Sequence, residues 1–536
     1  MSRASNEIVA ASSSDIEERH AQALHHGPPP FRWASLWEPA QINPLNGKSY
    51  TLPILRLTDQ YSINFHLAWL GFFVAFLSWF AFPPLIPEAI KKDLKLTTAQ
   101  VGNSNIIALL ATLVCRFATG PLVDRFGPRM AALLVAGAIP SGLAGTISSA
   151  GGLYAVRFFI GVLGATFVPC LAWTTAFFDK SIVGTANSFV GGWGNLGGGV
   201  TFVVQVATFQ SLMNRGLTSH KAWRVCFAVV PVPILLFVAI ATLVLGTDCP
   251  AGKWSARHTL PATAVAARQG HLAHLDASER AVVERKAREK AQGSAHVQPA
   301  DDEEDALAEI PLDVAVNEPL TFKTFLTMIS QPYTWLPTLM YMTTFGFELA
   351  VDANIASVLV ANNKLTQLEA GYYGSTFGFL NLVTRPFGGF LADRLYARYG
   401  LKAKKYVTIV LGVLEGAMSI AFGAAEAHKS VAQYTLTKHN AGVAPSISVQ
   451  MGVVTLMAIF SEVANGTNFS LAPHCNPFSN GFTTGLVGAF GNLGGIWFAL
   501  VFRYQVAKGY SNAWIICGAV AVGVNLFCIL LPTPKK

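Results

Sequence analysis

The chain has 536 residues, of which 52% are hydrophobic and only 13% are charged, and its formal net charge is +8. Soluble domains carry roughly one-quarter charged residues, so this composition excludes an ordinary soluble fold. Most of the Lys and Arg residues lie outside the apolar stretches and show no base-stacking pattern. We therefore expect anionic lipid headgroups, and not nucleic acid, as their partner.

Residues 1–60 are polar and Pro-rich, with no signal-peptide pattern, and are predicted to form a cytosolic N-terminal tail. Twelve apolar runs follow that are long enough to cross a bilayer. They lie near 63–86, 100–122, 129–148, 152–176, 186–209, 224–246, 332–357, 370–392, 406–426, 448–471, 481–503 and 512–532. The sequence thus predicts an all-α membrane protein with twelve transmembrane helices in two six-helix halves, 61–246 and 331–532.

Residues 247–330, between the halves, contain a basic stretch and the acidic cluster 301–305 with few aromatics, and are predicted to form a charged cytosolic linker. Basic residues in the loops after runs two and eight place those loops in the cytosol by the positive-inside rule. Both termini, including the tail 533–536, are then cytosolic. Lys91, Lys92 and Lys95 oppose the rule, but the even number of runs and the linker agree with it.

The seven cysteines show neither CxxC nor metal-ligand spacing, so we expect no disulfide, zinc or other cofactor. The apolar runs also lack HExxH, GxSxG and nucleotide-loop motifs, which argues against an enzyme.

An internal repeat links the two halves. Gly120-Pro-Leu-Val-Asp124-Arg125 after run two recurs as Gly389-Phe-Leu-Ala-Asp393-Arg394 after run eight, and an arginine precedes each aspartate by eight residues, Arg116 and Arg385. Runs five and eleven share Gly-Asn-Leu-Gly-Gly, at Gly194–Gly198 and Gly491–Gly495. Such parallel repeats are typical of transporters with a midplane site between the halves.

Eight helical residues place each arginine roughly 12 Å inside the membrane from its aspartate, near the centre of the ~30 Å hydrocarbon core. An arginine at this depth needs a partner or a wet pathway. One interpretation is a structural ion pair with Glu348, Asp352 or Glu462. The symmetric placement of Arg116 and Arg385 favours an anion site, with each arginine facing its counterpart.

A guanidinium is a planar fork of donors that suits planar oxyanions. Nitrate, nitrite, carboxylates and bicarbonate all meet this requirement, and charge counting alone would also permit a dianion. The residues by themselves therefore predict a small anion and no particular one.

The loop Gly120-Pro121-Leu122-Val123-Asp124-Arg125-Phe126-Gly127-Pro128-Arg129 resembles that of the major facilitator superfamily. The two Gly-Asn-Leu-Gly-Gly stretches resemble signatures of its nitrate/nitrite porter family, and the fungal high-affinity members are the most similar. The resemblance extends through Arg157–Gly164, Phe177–Asn187, Phe345-Gly-Phe-Glu348 and Arg385-Pro-Phe-Gly-Gly389, and covers residues 60 to 530.

The resemblance implies that Arg116 and Arg385 clamp the anion, that Asn195 and Asn492 donate to it, and that Tyr341, Phe345 and Phe80 form walls of the pocket. A packing role instead of anion contact remains open for these asparagines and aromatic residues. For the signature glycines the expected role is close helix packing, at Gly197, Gly198, Gly494 and Gly495. The expected conformational latch at the cytosolic face consists of Asp124, Arg125, Arg129, Asp393 and Arg394.

The resemblance implies import of nitrate, with nitrite as a second substrate, by proton symport at the plasma membrane, and we expect the protein to function as a monomer. Uptake against a negative interior costs about 2.3 kcal/mol per 100 mV for each monovalent anion, so at least one cation must move with it. The candidate proton-coupling residues are Glu348, Asp352, Glu462, Arg157 and His474. A nitrate/nitrite exchanger and a nitrate-sensing receptor are the alternatives.

Overall fold

A computed structural model describes residues 31–43, 47–179, 181–255, 322–363, 367–436, 447–476, 480–505 and 510–534. Most of the predicted linker, 256–321, lies outside the described residues, as do residues 1–30 and 535–536 of the predicted tails.

The first half consists of six helical units. They are α1 (Gln60–Trp79), α2 (Thr98–Phe126), α3 (Ala131–Leu143), α4 (Ala150–Ile160 and Phe167–Phe177, joined by the 3-10 turn Gly161–Thr166), α5 (Val183–Asn214) and α6 (Ser219–Val229 and Pro231–Leu245). A capping box of Thr97 and Gln100 starts α2.

The second half repeats the pattern. A short helix, Phe322–Ser330, precedes α7 (Pro332–Asn363), α8 (Gln367–Tyr399), α9 (Leu401–Leu436), α10 (Ile447–Leu471), α11 (Asn480–Gln505) and α12 (Tyr510–Phe527). Gly127 after α2 and Gly400 after α8 both have positive φ, +96° and +74°. These glycines can therefore end the two helices that carry the sequence repeat without steric strain.

The predicted all-helical membrane fold is confirmed, since each of the twelve predicted runs corresponds to a helical unit. Eight helices in the described part of the chain are long and apolar enough to cross a membrane, and Ala131–Thr146 and Ser511–Phe527 are shorter apolar helices. The remaining two units, α7 and α8, carry Glu348 and Arg385 within their length. Helix ends differ from the predicted ones by several residues because a helix can continue beyond the apolar stretch that hydropathy detects.

The halves meet mainly where α5 packs against α8 and α2 packs against α11. Glycine backbones make these contacts possible, because a Cβ on Gly120 would lie 2.8 Å from the carbonyl oxygen of Gly481, and one on Gly378 would lie 2.6 Å from the Cα of Gly199. The expected packing role of the signature glycines is also confirmed. A Cβ on Gly494 would lie 1.9 Å from the Met342 carbonyl oxygen.

We call the end of the bundle at which α2 and α8 finish and α1 and α7 begin the terminal end. Residues 31–43 and 47–59 pack there against the helices. Asn43 donates to Asp179 at 3.1 Å, and the Ser49 amide donates to the Phe177 carbonyl at 2.8 Å. The Tyr61 hydroxyl, at the start of α1, donates to the carbonyl of Gly47 at 2.6 Å.

At the opposite end, Asp93 joins the connection between α1 and α2 to the start of α6. Its carboxylate accepts from Trp223 at 3.0 Å and from Arg224 at 2.7 Å, and it pairs with His220 at 2.8 Å. Partial burial acts to raise the pKa of Asp93, but the hydrogen bonds from His220, Arg224 and Trp223 and the Arg224 charge outweigh it and lower the pKa to about 2. Asp93 is therefore an ionised anchor at neutral pH.

The close approach of α5 to α1 predicts a large effect of Gly197→Val. A Cβ there would lie 2.2 Å from the Phe73 carbonyl oxygen, and a backbone atom cannot rotate away. We expect the purified protein to lose about 1–3 kcal/mol of stability, measured as a lower thermal unfolding midpoint in detergent. Gly523→Val is the control, because no heavy atom lies within 4 Å of a Cβ at Gly523. Equal midpoints for the two variants would contradict the packing argument.

Candidate anion site between the two halves

Arg116 projects from α2 into the centre of the molecule and is fully buried. Its Nε donates to the Gly164 carbonyl at 2.7 Å, and its Nη1 donates to the Gly488 carbonyl of the other half at 3.0 Å. Its Nη2 has no hydrogen-bond partner within the described ranges, and no carboxylate there pairs with it. Arg116 is thus a buried positive charge whose described hydrogen bonds all go to backbone carbonyls.

Arg385 occupies the equivalent place on α8 and is also fully buried, but its surroundings differ. Its Nη2 forms a close ion pair with Glu348 of α7, and Asn465 donates to the same carboxylate oxygen at 2.9 Å. The Nε and Nη1 of Arg385 have no hydrogen-bond partner in the described part of the chain. The ion-pair interpretation therefore holds for Arg385 and not for Arg116.

The two guanidinium groups lie over one aromatic ring. The Cζ atoms of Arg116 and Arg385 are 5.3 and 5.6 Å from the ring centroid of Phe345, and the sum of these distances limits their separation to about 11 Å. Like charges this close repel each other, and both retain unused donors. The arrangement therefore favours an anion between them.

Aromatic rings surround the arginines. Tyr341 and Phe345 on α7 are stacked with centroids 4.8 Å apart and planes 7° apart, and Phe167 on α4 stacks on Tyr341 at 5.7 Å. Phe469 on α10 lies 5.4 Å from Tyr341. The Tyr341 hydroxyl has no hydrogen-bond partner among the residues that the structure describes. Tyr341 thus adds a further free donor to an otherwise apolar enclosure.

Phe167 and Phe469 were not among the predicted site residues. Arg116 lies 4.6 Å from the Phe167 centroid, and Arg385 lies 5.6 Å from the Phe469 centroid. Because α4 and α10 are equivalent helices of the two halves, each arginine has a cation–π partner in the same relative place. In the sequence, only an alignment of run four with run ten could have indicated that Phe167 and Phe469 are equivalent. Neither phenylalanine belongs to a recognisable motif.

Asn195, Asn492 and Phe80 lie at the edge of this enclosure. The Asn492 amide donates to Gly488, the same carbonyl that accepts from Arg116, whereas Asn195 donates to Gly191 in its own helix. Asn195 and Phe80 line a narrow cavity next to Phe345. The described contacts thus tie Asn492 to the Arg116 environment and place Asn195 and Phe80 on the wall of a cavity beside Phe345.

Buried carboxyl groups are concentrated on the Arg385 side. Asn381 donates to Glu348 at 3.3 Å and to Glu462 at 3.2 Å, and Thr384 makes a close hydrogen bond to Glu462. Asp352 lines the narrow cavity together with Glu348. Glu348 and Glu462 are therefore connected through Asn381 next to Arg385, and Asp352 lines the same cavity as Glu348.

The other two proton-coupling candidates lie elsewhere. Arg157 is buried in α4, where it donates to Ser104 at 3.4 Å and lies over Phe82. His474 lies 3.1 Å from Lys404 Nζ, near the terminal end. Hydropathy places a residue at a depth but does not give its rotation about the helix, and for this reason the sequence could not separate these two from the central group.

The repeat aspartates make matching contacts across the halves at the terminal end. Asp124 accepts from the Gly481 and Phe482 amides at the start of α11, both at 3.0 Å. Asp393 accepts from the Thr185 amide at 2.6 Å and hydroxyl at 2.8 Å, at the start of α5. Each carboxylate thus interacts with the positive end of a helix in the other half.

The three arginines of the predicted latch make different contacts. Arg129 forms an ion pair with Asp248, just after α6, at 2.6 Å. Arg125 and Arg394 lie over the adjacent rings of Phe126 and Phe390. The described contacts between the halves therefore involve the aspartates of the repeat and not its arginines.

We predict that Asp124→Asn loosens the terminal end. The neutral amide loses the charge interaction with the α11 N-terminus, worth about 1–2 kcal/mol in a buried setting. Hydrogen–deuterium exchange at Gly481 and Phe482 should become about 5–30 times faster. Asp93→Asn, at the opposite end, is the matched control and should leave these amides unchanged. Unaltered exchange in Asp124→Asn would rule out the latch.

The fold and the site define a multi-pass helical membrane protein with two equivalent halves around a buried cationic centre. The chain belongs to the Major Facilitator Superfamily, whose family model matches residues 68–499. It is therefore a transporter and not an enzyme.

Similar proteins agree with this assignment. Nitrate transporter 2.1 of Chlamydomonas reinhardtii is 28% identical over 90% of this chain and 76% of its own length. High affinity nitrate transporter 2.5 of Arabidopsis thaliana is 28% identical over 91% of this chain and 83% of its own. A solved structure of the proton:xylose symporter XylE matches with a TM-score of 0.61 and 15% identity, over 89% of this chain and 97% of that one, which supports the fold alone. The resemblance to nitrate/nitrite porters is thus confirmed.

Proposed function

We propose that this transporter imports nitrate, and also nitrite, by proton symport and alternating access, with the anion held between Arg116 and Arg385. The observation that carries the proposal is the set of buried donors without partners in the described chain, Nη2 of Arg116, Nε and Nη1 of Arg385 and the Tyr341 hydroxyl. Unpaired buried donors are unfavourable, so they favour a ligand rich in acceptors.

The shape of the enclosure supports a flat anion. Phe167, Tyr341 and Phe345 have nearly parallel rings, with interplanar angles of 7° to 18°. Nitrate is planar and its three oxygens can accept from two guanidinium forks at once. Nitrite, with two oxygens in a plane, can use the same forks. The nitrate transporters among the relatives favour this anion over a carboxylate or bicarbonate.

Charge balance supports proton coupling through Glu348. With Glu348 ionised and paired to Arg385, the two arginines and this carboxylate carry a net charge of +1. A nitrate ion that binds Arg385 must compete with Glu348, and a proton on Glu348 removes the competitor. If one proton and one nitrate enter together, the net charge of the site remains +1. Their joint entry therefore adds no unpaired charge to the low-dielectric interior.

The two ends of the bundle support alternating access. The contacts of Asp124 and Asp393 close the terminal end. The narrow cavity beside Phe345 and Glu348 lies on the other side of the site. Its lining residues Phe80, Asn195 and Asp352 lie toward the opposite end of the bundle. In the proposed orientation at the plasma membrane, the termini are cytosolic and this cavity is the external approach. Breaking the Asp124 and Asp393 contacts would then open the cytosolic route.

Transport into vesicles tests this function. Purified protein in liposomes should accumulate labelled nitrate when the outside is made acidic, and nitrite should compete. Uptake that needs internal nitrite and ignores the pH gradient would instead support an exchanger. Binding without any accumulation would support a nitrate-sensing receptor.

We predict that Arg385→Lys raises the nitrate KM by about 10- to 100-fold, because a single ammonium cannot replace the fork that binds both Glu348 and the anion. Arg116→Lys should have a similar effect. Arg503→Lys is the control, since Arg503 bonds Asn103 at the opposite end of the bundle. A KM for Arg385→Lys equal to that of the parent would refute the clamp.

Glu348→Gln should separate binding from coupling. The neutral amide imitates the protonated acid and leaves Arg385 without a competing carboxylate at any pH. Nitrate binding, measured by calorimetry, should become independent of pH, and accumulation driven by a pH gradient should be lost while nitrate–nitrate exchange continues. Glu369→Gln, at an exposed position near the start of α8, is the control. Retained proton-driven accumulation in Glu348→Gln would exclude Glu348 as the coupling group.

A further inference from the structure

Asn465 on α10 lies against the ion pair of Arg385 and Glu348 and was not among the predicted site residues. It is fully buried. Its Nδ2 donates at 2.9 Å to Glu348 Oε2, the same oxygen that accepts from Arg385. The next residue allows α10 to come this close, since a Cβ on Gly466 would lie 2.3 Å from the Arg385 carbonyl oxygen. Asn465 is therefore packed directly into the ion pair.

The two partners of the Asn465 amide fix its orientation. An ionised carboxylate offers only acceptors, so the amide nitrogen and not the oxygen must face Glu348. The amide oxygen accepts at 2.6 Å from the hydroxyl of Thr344, one turn before Glu348 on the same face of α7. Ser461, one turn before Asn465, donates to the Thr344 carbonyl at 3.3 Å and joins the two helices here. Thr344 therefore keeps Asn465 aimed at Glu348 as a donor.

The ionisable groups around Glu348 make its negative charge depend on its donors. Arg385 of α8 is its counterion. The other ionisable neighbours are acidic, and they are Glu462 of α10, Glu415 of α9, and Asp352 and Tyr341 of α7. The helices α11 and α12, which also pack against α7, carry no carboxyl side chain. The described hydrogen bonds to Glu348 come from Arg385, Asn465 and Asn381. Asn465 thus supplies one of the bonds that favour the ionised form.

We propose that Asn465, oriented by Thr344, is a positioning residue that sets the pH at which Glu348 takes up its proton, an inference that rests on the proposed coupling through Glu348. At low proton concentration Asn465 helps to hold the carboxylate on Arg385, so nitrate does not bind without a proton. When a proton from solvent forms an O–H bond on Glu348, Arg385 is released to nitrate. On the cytosolic side the same donor favours return of the proton to solvent, after which Glu348 recovers Arg385.

Asn465→Leu tests the proposal, because leucine is close to asparagine in size but cannot donate. The neutral acid still has an acceptor available, since Asn381 Oδ1 has no partner in the described structure and can reach Glu348 by rotation of its amide. The loss therefore falls mainly on the ionised form. Calorimetry of nitrate binding to the purified full chain should show affinity falling as the pH rises and Glu348 ionises. In Asn465→Leu the midpoint of this fall should lie about 1 to 2 pH units higher than in the parent.

Asn468→Leu is the matched control for this change. Asn468, one turn further along α10, is also buried, but it donates to the Pro337 carbonyl at 3.0 Å. Both leucine variants lose a buried amide, so both should unfold at a lower temperature, but Asn468→Leu should keep the parental midpoint of nitrate binding. A purely structural role for Asn465 would leave both midpoints unchanged.

Two variants of Thr344 test the orientation of the amide. Thr344→Val keeps the shape of the side chain but removes the hydroxyl, so the midpoint should rise by a smaller amount. Thr344→Ser keeps the hydroxyl and should bind nitrate with the parental midpoint. If Asn465→Leu does not fold, this pair decides the question. A midpoint that stays the same or falls, in Asn465→Leu or in the pair that replaces it, overturns the inference but leaves coupling through Glu348 intact. Nitrate binding that is independent of pH in the parent would refute that coupling, and the inference with it.

Discussion

The uncompensated charge of Arg116 is the constraint on which the rest of the site depends. A guanidinium buried at the middle of a membrane protein costs several kcal/mol unless its surroundings replace water. Here the replacement is incomplete, since two backbone carbonyls and the faces of Phe167 and Phe345 surround it and Nη2 remains unpaired in the described structure. The bundle therefore maintains a positive centre that an anion can neutralise, and the proposed substrate is also the missing counterion.

The two halves have the same repeat but provide different chemistry. Arg116 has a fixed environment of carbonyls and rings, whereas Arg385 shares its environment with Glu348 and, through Asn381, with Glu462. A fixed charge supplies attraction for the anion at every pH. A charge whose counterion can be protonated makes that attraction depend on the proton. The proposed symport thus assigns binding to both halves and proton coupling to the second half alone.

The spacing of Arg116 to Asp124 and of Arg385 to Asp393 was sufficient to predict the central charges and the aspartates at the terminal end, because a helix converts residue number into depth. The partners of these residues were not predictable in the same way. These partners come close to the arginines and aspartates only when separate helices pack, and a single sequence does not give the rotation of each helix about its axis. They are Phe167, Phe469 and the amides of Gly481 and Phe482.

Asp393 has partners in its own half as well as across the interface, which matters for the proposed opening of the terminal end. When the halves separate, Asp393 loses Thr185 but keeps Lys404 at 2.9 Å and Ser470 at 2.7 Å, both from its own half. Its carboxylate therefore stays paired in the open state, which lowers the free energy needed to break the contact. The glycine pair Gly184 and Gly389 at this interface adds no interlocking side chains. In the proposed alternating-access cycle, an aspartate that keeps its own-half partners when the halves separate suits a transporter that must close and reopen repeatedly.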